Sequence, residues 1–319
     1  MTEQKKIVTM HSRNMNLENK KNKVGKVIAK VLCYAFLFAM ALVVLFPFYW
    51  MIISSLKTVD EYYLTLPTFF PKVIVLKNYF WDAFETANLG RLFYNTVLVG
   101  VISTVLSLVI TVLSAFAFAR LEFKGKNALF AALLATMMIP GELFTITNYR
   151  TVAQLGWIDS YQVLIVPFLV SVFYIYLLRQ NFLQIPNELY LAAKVDGTSD
   201  LKYLWKVMIP LAMPTLISIT ILKMMGSWNS YVWPNLVTKI AVDKPNTYKL
   251  ITNGLRGANF TEKLSLPQPD GTVIEQLGTR TNFPVQMAAV MVVSIPLFLV
   301  FIFLRKYIMK GVSRSGIKG

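Results

Sequence analysis

The run TVLVGVISTVLSLVITVLSAFAFA occupies residues 96–119 and holds 24 positions without a single charge. At about 1.5 Å per residue, a helix of that length outspans the ~30 Å hydrocarbon layer, which needs about 20 apolar residues. The run therefore reads as a transmembrane helix. Five further segments read the same way, roughly 31–54, 127–146, 161–178, 215–233 and 285–304. The expected fold is an all-α, polytopic membrane protein with six transmembrane helices.

The composition agrees. Of 319 residues, 55% are hydrophobic and 15% charged, against about 25% charged in soluble domains, and the mean hydropathy is +0.54. The first thirty residues are polar and basic, and no short apolar run with a small-residue cleavage site follows. The segment from residue 31 is long and flanked by Phe46, Phe48, Tyr49 and Trp50, so it reads as a retained span rather than a cleaved leader. One cysteine (Cys33) and one histidine (His11) exclude an internal disulfide framework, a Cys/His metal cluster and a Cys–His nucleophilic pair. No G-x-x-x-x-G-K-[S/T] phosphate loop occurs. The expectation is no catalytic residue, no metal and no cofactor on this chain.

The net charge of +16 is a topology signal. With the N-terminus placed in the cytoplasm, 20 of the 32 Lys and Arg fall inside and 11 outside, leaving Lys223 within a span. Cytoplasmic loops carry such an excess, so both termini are expected in the cytoplasm and nucleic-acid binding is set aside. Three connections are long. An outer one covers 56–91, an inner one 179–214 and a second outer one 236–284. The last contains Leu266-Pro267-Gln268-Pro269-Asp270-Gly271, a turn signal within a small folded excursion.

The inner connection holds Ile185-Pro186-Asn187-Glu188-Leu189-Tyr190-Leu191-Ala192-Ala193-Lys194-Val195-Asp196-Gly197. Asn187 is a plausible N-cap, and Gly197 stands where a helix end needs a positive φ. Thr198 or Ser199 then caps a second helix over 200–207, which Ile209-Pro210 ends before Pro214 opens the fifth span. This proline-bracketed knuckle suits either an amphipathic element on lipid headgroups or a docking element for a partner protein, the small alanines favouring close approach.

Leu191-Ala192-Ala193-Lys194-Val195-Asp196-Gly197 followed by Val207-Met208-Ile209-Pro210 resembles the EAA loop of ABC-importer permeases. That pattern is E-A-A, three residues, G, then I-x-L-P after about nine more. Leu191 stands where the family has its first Glu, which removes any contact made by that carboxylate. Val207 and Ile209 are apolar exchanges. Further ordered matches link the chain to MalG-like carbohydrate permeases. They include Pro47-Phe48-Tyr49-Trp50, Phe116-Ala117-Phe118-Ala119-Arg120-Leu121, Ile139-Pro140-Gly141-Glu142 and Leu155-Gly156-Trp157-Ile158-Asp159-Ser160. Trp228-Asn229 through Trp233-Pro234 and the Lys306-Tyr307 to Gly319 tail complete the resemblance.

The resemblance implies one permease subunit of a binding-protein-dependent importer in the bacterial cytoplasmic membrane, carrying a sugar or oligosaccharide. It implies a second homologous permease, two ATPase subunits that bind ATP and Mg, and an extracytoplasmic sugar-binding protein. Leu191, Ala192, Ala193, Asp196, Gly197, Ile209 and Pro210 would then form the ATPase-coupling loop. The expected organisation is a basic tail at 1–30, a first helix and outer loop at 31–90, a transmembrane core at 91–305 and a C-terminal tail at 306–319. The core includes the coupling loop 185–210 and the outer loop 236–284.

Candidate pathway residues are Lys223, Trp228, Asn229, Tyr231 and Trp233. A lysine at mid-span costs about 2.5–3.5 kcal/mol, so Lys223 should face a wet cavity, a subunit interface or a counter-charge such as Glu142. The aromatics and amides near the outer end of span five, Asn235 included, suit sugar faces and hydroxyls, or equally anchor the helix at the membrane surface. Ser103, Ser107, Thr111, Ala115 and Ala119 recur every fourth residue and read as helix packing. A polyol, glycerol phosphate or peptide is the alternative cargo. A secondary transporter, which usually needs coupling carboxylates in its spans, finds only Glu142 there.

Overall fold

The computed structural model describes residues 2–238, 247–267 and 273–313. Its Cα framework divides into two compact units, residues 1–75 and 76–319.

The first unit is dominated by α1 (Thr2–Ser55), which runs unbroken through Pro47 and carries the basic tail and first span on one helix. Apolar side chains along it, such as Leu32, Phe36, Phe38 and Val43, are exposed, as is Cys33. After the span the chain folds back on itself. Thr58 caps the short α2 (Val59–Tyr62) by accepting from the Glu61 N–H at 3.2 Å. The Glu61 carboxylate accepts from the Thr68 hydroxyl at 2.7 Å and the Lys72 N–H at 3.0 Å. Lys57 donates to the Thr68 carbonyl and lies over the Trp50 ring. These contacts satisfy the polar groups of a loop that begins where an apolar helix ends.

The second unit is organised around α4 (Leu89–Arg120), which contains the whole apolar run 96–119. This helix packs chiefly on α8 (Val172–Leu183) and α11 (Ile209–Trp228). The helix α14 (Phe283–Ser313) packs on α11 and on α3 (Lys77–Thr86). The every-fourth-residue stripe of α4 is the contact face, as expected. Ser103, Ser107, Thr111, Ala115 and Ala119 are all buried. Gly100 allows α11 closest approach, since a Cβ there would lie 2.8 Å from the Met224 sulfur. Small residues permit this in lipid, where packing rather than water exclusion draws helices together.

Among the described residues, four helices are individually long and apolar enough to cross a membrane, and the count becomes six when each of two bent pairs is taken as one span. The third span is one such pair. Here α5 (Lys126–Thr136) breaks before Pro140 and resumes at 86° through the 3-10 turn Gly141–Phe144 into α6 (Thr145–Gln154). Pro140 lacks an N–H and biases Ile139 away from the helical region. The fourth span bends by 45° between α7 (Tyr161–Ile165), with its 3-10 extension Val166–Phe168, and α8. Pro167 lies in that extension.

Helix edges around the knuckle also differ from the sequence expectation. The first knuckle helix, α9 (Asn187–Val195), takes Pro186 at the N-cap position, so Asn187 is its first residue rather than its cap. The second is not ended by Ile209-Pro210. Instead α10 (Asp200–Tyr203) continues through a π-helical turn, Leu204–Met208, into α11. Within this continuous helix Pro210 and Pro214 each withhold one backbone N–H from the ladder, and neither marks a stop or the start of a span. The π turn lies just ahead of the first of these prolines. At its other end α11 stops at Trp228, and Trp233 belongs to the separate α12 (Val232–Val237).

The second outer connection adds a short helix, α13 (Ile251–Arg256), and a two-stranded antiparallel sheet of β1 (Thr261–Pro267) and β2 (Val273–Thr281) to the mostly helical fold. The expected turn at Leu266–Gly271 reaches beyond the described residues after Pro267.

Candidate functional site

Two sites emerge at opposite ends of the same helices. The first is the knuckle. Gly197 adopts φ +70°, and α9 closes with the paired bonds that a left-handed residue allows. The Gly197 N–H donates to the Lys194 carbonyl at 3.0 Å and the Thr198 N–H to Ala193 at 2.8 Å. Ser199 caps α10, its hydroxyl accepting from the Lys202 N–H. Across the turn, Lys194 pairs with Asp200 at 2.8 Å, and the Tyr190 hydroxyl donates to the same carboxylate at 2.8 Å. The Asp200 hydrogen bond holds the Lys194 ammonium above the ordinary lysine range. Burial first, and then that same carboxylate, push the Tyr190 phenol up.

The inner face of the knuckle is welded to the bundle. Tyr203, Leu204 and Met208 are fully buried in one cluster with Phe116 and Ala119 of α4, Leu178 and Phe182 of α8, and Ala212 of α11. Ala193 and Ile209 pack against it. Arg120, at the last turn of α4, donates to the Phe182 carbonyl at 3.0 Å and the Ile185 carbonyl at 2.5 Å, and reaches Asn187 Oδ1 at 3.3 Å. One guanidinium thus satisfies the end of α8 and the entrance to α9, a use of its fixed fork that a lysine could not copy. Arg179 lies over the Phe130 ring at 4.1 Å and donates to the Phe118 carbonyl. The role of Arg120 escaped the sequence reading, which held it as a positive-inside charge and as part of the matched run Phe116–Leu121.

The outer face is bare. Leu191 is 55% exposed, Val195 88% and Trp205 63%, and Ala192, Asp196, Gly197 and Pro210 are exposed beside them. An apolar patch framed by charges marks a surface that meets another molecule.

The second site is a cavity of about 360 Å³ among α4, the broken fourth span, α11 and α12. The break decides its chemistry. Pro167 has no N–H to offer the Val163 carbonyl one turn earlier, and the Trp233 indole N–H donates to that carbonyl instead, at 2.9 Å. Lys223 donates to the carbonyl of Phe168, the last residue before the break, at 2.5 Å. The expected Lys223–Glu142 pairing is not made. Glu142 is exposed in the 3-10 turn, and no ion pair among the described residues joins the two. Ser103 and Ser227 approach to 3.4 Å between hydroxyl oxygens. Ser171, Tyr174 and Ser230 also line the space.

The five pathway candidates separate. Lys223 and Trp233 line the cavity. Trp228 is buried against the Phe93 ring, outside it. Asn229 terminates α11, its side chain donating to the Met225 carbonyl, and Tyr231 carries the Arg256 guanidinium over its ring. The sequence reading missed Ser171, Tyr174, Ser227 and Ser230. Their only signal was proximity to a helix break that the apolar run concealed.

Comparison with known proteins decides the family. The binding-protein-dependent transport system inner membrane components match this chain over residues 15–314. The chain belongs to that family. It is 27% identical to the arabinooligosaccharides transport system permease protein AraQ of Halalkalibacterium halodurans over 302 residues, 94% of this chain and 100% of that one. It is 28% identical to the polygalacturonan/rhamnogalacturonan transport system permease protein YtcP of Bacillus subtilis, covering 91% and 98%. Identity to the sn-glycerol-3-phosphate transport system permease protein UgpE of Yersinia enterocolitica is 25%, over 89% and 96%. The fold matches a chain in the crystal structure of a bacterial ABC transporter involved in the import of the acidic polysaccharide alginate. That match has a TM-score of 0.73 at 24% identity, covering 88% of this chain and 96% of that one. It is an inner-membrane component of a transport system and has the fold of an ABC importer permease.

Proposed function

We propose that the chain forms half of the translocation path of an importer for a sugar or oligosaccharide. A second related permease completes the path. Two ATPase subunits hold ATP and Mg, and a solute-binding protein delivers cargo from outside. Both termini lie in the cytoplasm, so the knuckle meets the ATPase. The cargoes named for AraQ and YtcP support saccharide import, and UgpE keeps glycerol phosphate as the alternative.

The observation that carries this reading is the two-faced knuckle. Its inner face is packed without slack into α4, α8 and α11, while Leu191, Val195 and Trp205 are left bare. Closure of an ATPase pair around the bare face would move the knuckle as a rigid lever. Because interfaces of this kind are bistable rather than continuously deformable, the bundle would switch between inward- and outward-open states. Such coupling requires that ATP and cargo each favour one state over the other. With Leu191 in the family's Glu position, the contact at that point is apolar.

Co-purification tests the reading. The ATPase should be retained by the intact chain and lost when residues 185–208 are deleted. Retention by the deletion variant excludes the docking role. Separately, a cysteine placed at Gly197 in a Cys33→Ser background should react with an impermeant thiol reagent only from the cytoplasmic side. Labelling from outside overturns the orientation.

A further inference from the structure

The cavity that contains Lys223 bears on the cargo's charge, an inference that rests on the transport reading above. We propose that this importer carries an anionic saccharide, a sugar bearing a carboxylate or a phosphate, and that Lys223 is the counter-charge for that group within the membrane.

Among the described residues, the lining has a single ionisable cation and no acid. Around Lys223 stand the hydroxyls of Ser103, Ser171, Tyr174, Ser227 and Ser230, and none of the described lining residues is Asp or Glu. The ion pairs among the described residues, Lys126–Glu122, Lys194–Asp200 and Arg280–Glu262, lie elsewhere. An ammonium has three donors. One goes to the Phe168 carbonyl, a neutral acceptor that leaves the charge uncancelled.

Capping a carbonyl needs only a neutral donor, as Trp233 shows at Val163 on the same broken span. A lysine at Phe168 therefore brings a charge that the backbone does not require. Charged side chains inside spans pair with something or face a watery path. The second fixed field has the same sign. Ser171 both lines the cavity and caps the twelve-residue α8, so the positive end of that helix dipole faces the same space. Discontinuous membrane helices present such ends to anionic cargo.

Shape and chemistry agree with a saccharide. The volume of about 360 Å³ lies within the roughly 300–1,000 Å³ range of small-molecule sites. The serine and tyrosine hydroxyls match sugar hydroxyls, and the Phe168 and Trp233 rings, packed edge to face at 5.6 Å, form an apolar wall. The anion would meet Lys223 while the hydroxyl array takes the ring.

The test uses the complete importer in proteoliposomes, with ATP inside and binding protein outside. The labelled probes are uronate di- and trisaccharides, sugar phosphates and their neutral counterparts. The wild type should take up at least one anionic probe, and the uronate and phosphate arms identify which group it carries. Lys223→Met should cut that uptake about tenfold or more, the loss of one charge-assisted contact, while Lys223→Arg keeps it within a few fold. ATP-driven uptake confined to neutral saccharides overturns the proposal and leaves the importer reading standing. So does an anion carried equally well by Lys223→Met. No ATP-driven uptake of any probe overturns both. Should Lys223→Met fail to assemble, competition in the wild type decides. Unlabelled anionic probes must then block uptake better than neutral ones, and equal blocking overturns the charge assignment.

Discussion

The knuckle and the cavity are built on the same three helices, α4, α8 and α11, yet they treat polar groups in opposite ways. At the knuckle end, apolar side chains from all three close into a core around Tyr203, Leu204 and Met208, and Arg120 satisfies the carbonyls where the helix order stops. At the cavity end the same helices carry Ser103, Tyr174, Lys223 and Ser227, and the fourth span is broken. A part that transmits motion needs dense packing, because voids absorb displacement. A part that binds hydrophilic cargo needs hydroxyls and freed backbone that packing would silence. The proposed coupling and cargo ends thus divide by position along α4, α8 and α11 rather than by domain.

The largest expected effect is at Arg120. Arg120→Ala orphans the Ile185 carbonyl and takes one donor from the Phe182 carbonyl, which keeps the Ile185 N–H at 3.3 Å, so a loss of about 3 kcal/mol is expected. Thermal melting of the purified chain in detergent should show it as a large fall in Tm. A Tm within two or three degrees of wild type would mean that the knuckle is not bolted to the bundle as described.

Two glycines sharpen the contrast at intermediate size. Gly197 has open space around it but a φ of +70°, so Gly197→Val introduces backbone strain of about 1–2 kcal/mol and should weaken ATPase retention. Gly226, on the cavity wall, is helical and equally uncrowded. Gly226→Ala should stabilise the helix by up to about 1 kcal/mol while narrowing the cavity. The pair predicts a lower Tm with weaker ATPase retention for the first. It predicts an equal or higher Tm with slower uptake for the second. Reversal of either pattern breaks the assignment of coupling to one end and cargo to the other.

The smallest effects concern pH, and their signs differ between the two ends. Burial holds the Lys249 ammonium, beside the cavity residue Leu250, below its ordinary value. Between that lowered value and the unfolded value near 10.4, the unfolded chain binds more protons, so stability rises with pH. Lys194 is shifted up by Asp200, so its contribution is complete below the unfolded lysine value and declines only as pH passes the raised one. Melting curves from pH 8 to 10 should therefore show a rising contribution that Lys249→Met abolishes and Lys194→Met leaves intact. A rise lost in Lys194→Met instead would invert the electrostatic assignment.

Much of this was legible before any coordinates. The apolar runs gave the spans, the Ser103-to-Ala119 stripe gave the contact face of α4, and Gly197 gave the knuckle's turn. What misled was proline. Pro210 and Pro214 read as a stop and a start, whereas one helix runs from Asp200 through the π turn to Trp228. Pro140 and Pro167 lay inside runs apolar enough to read as straight spans, yet both spans bend there. Hydropathy counts transfer energies and is indifferent to a missing N–H.

The sequence by itself determined that the chain lives in a membrane, which apolar stretches become its helices, and which stretch turns back at one end of the bundle. These follow from local terms: apolar transfer, charge, and the conformational freedom of one glycine. Only the tertiary structure decided that Arg120 joins α8 to α9, that Trp228 packs while Trp233 faces the cavity, and that Lys223 meets a carbonyl instead of Glu142. Each of those choices depends on which backbone group a break leaves unsatisfied and which distant side chain is placed to reach it, and no local pattern encodes that distance.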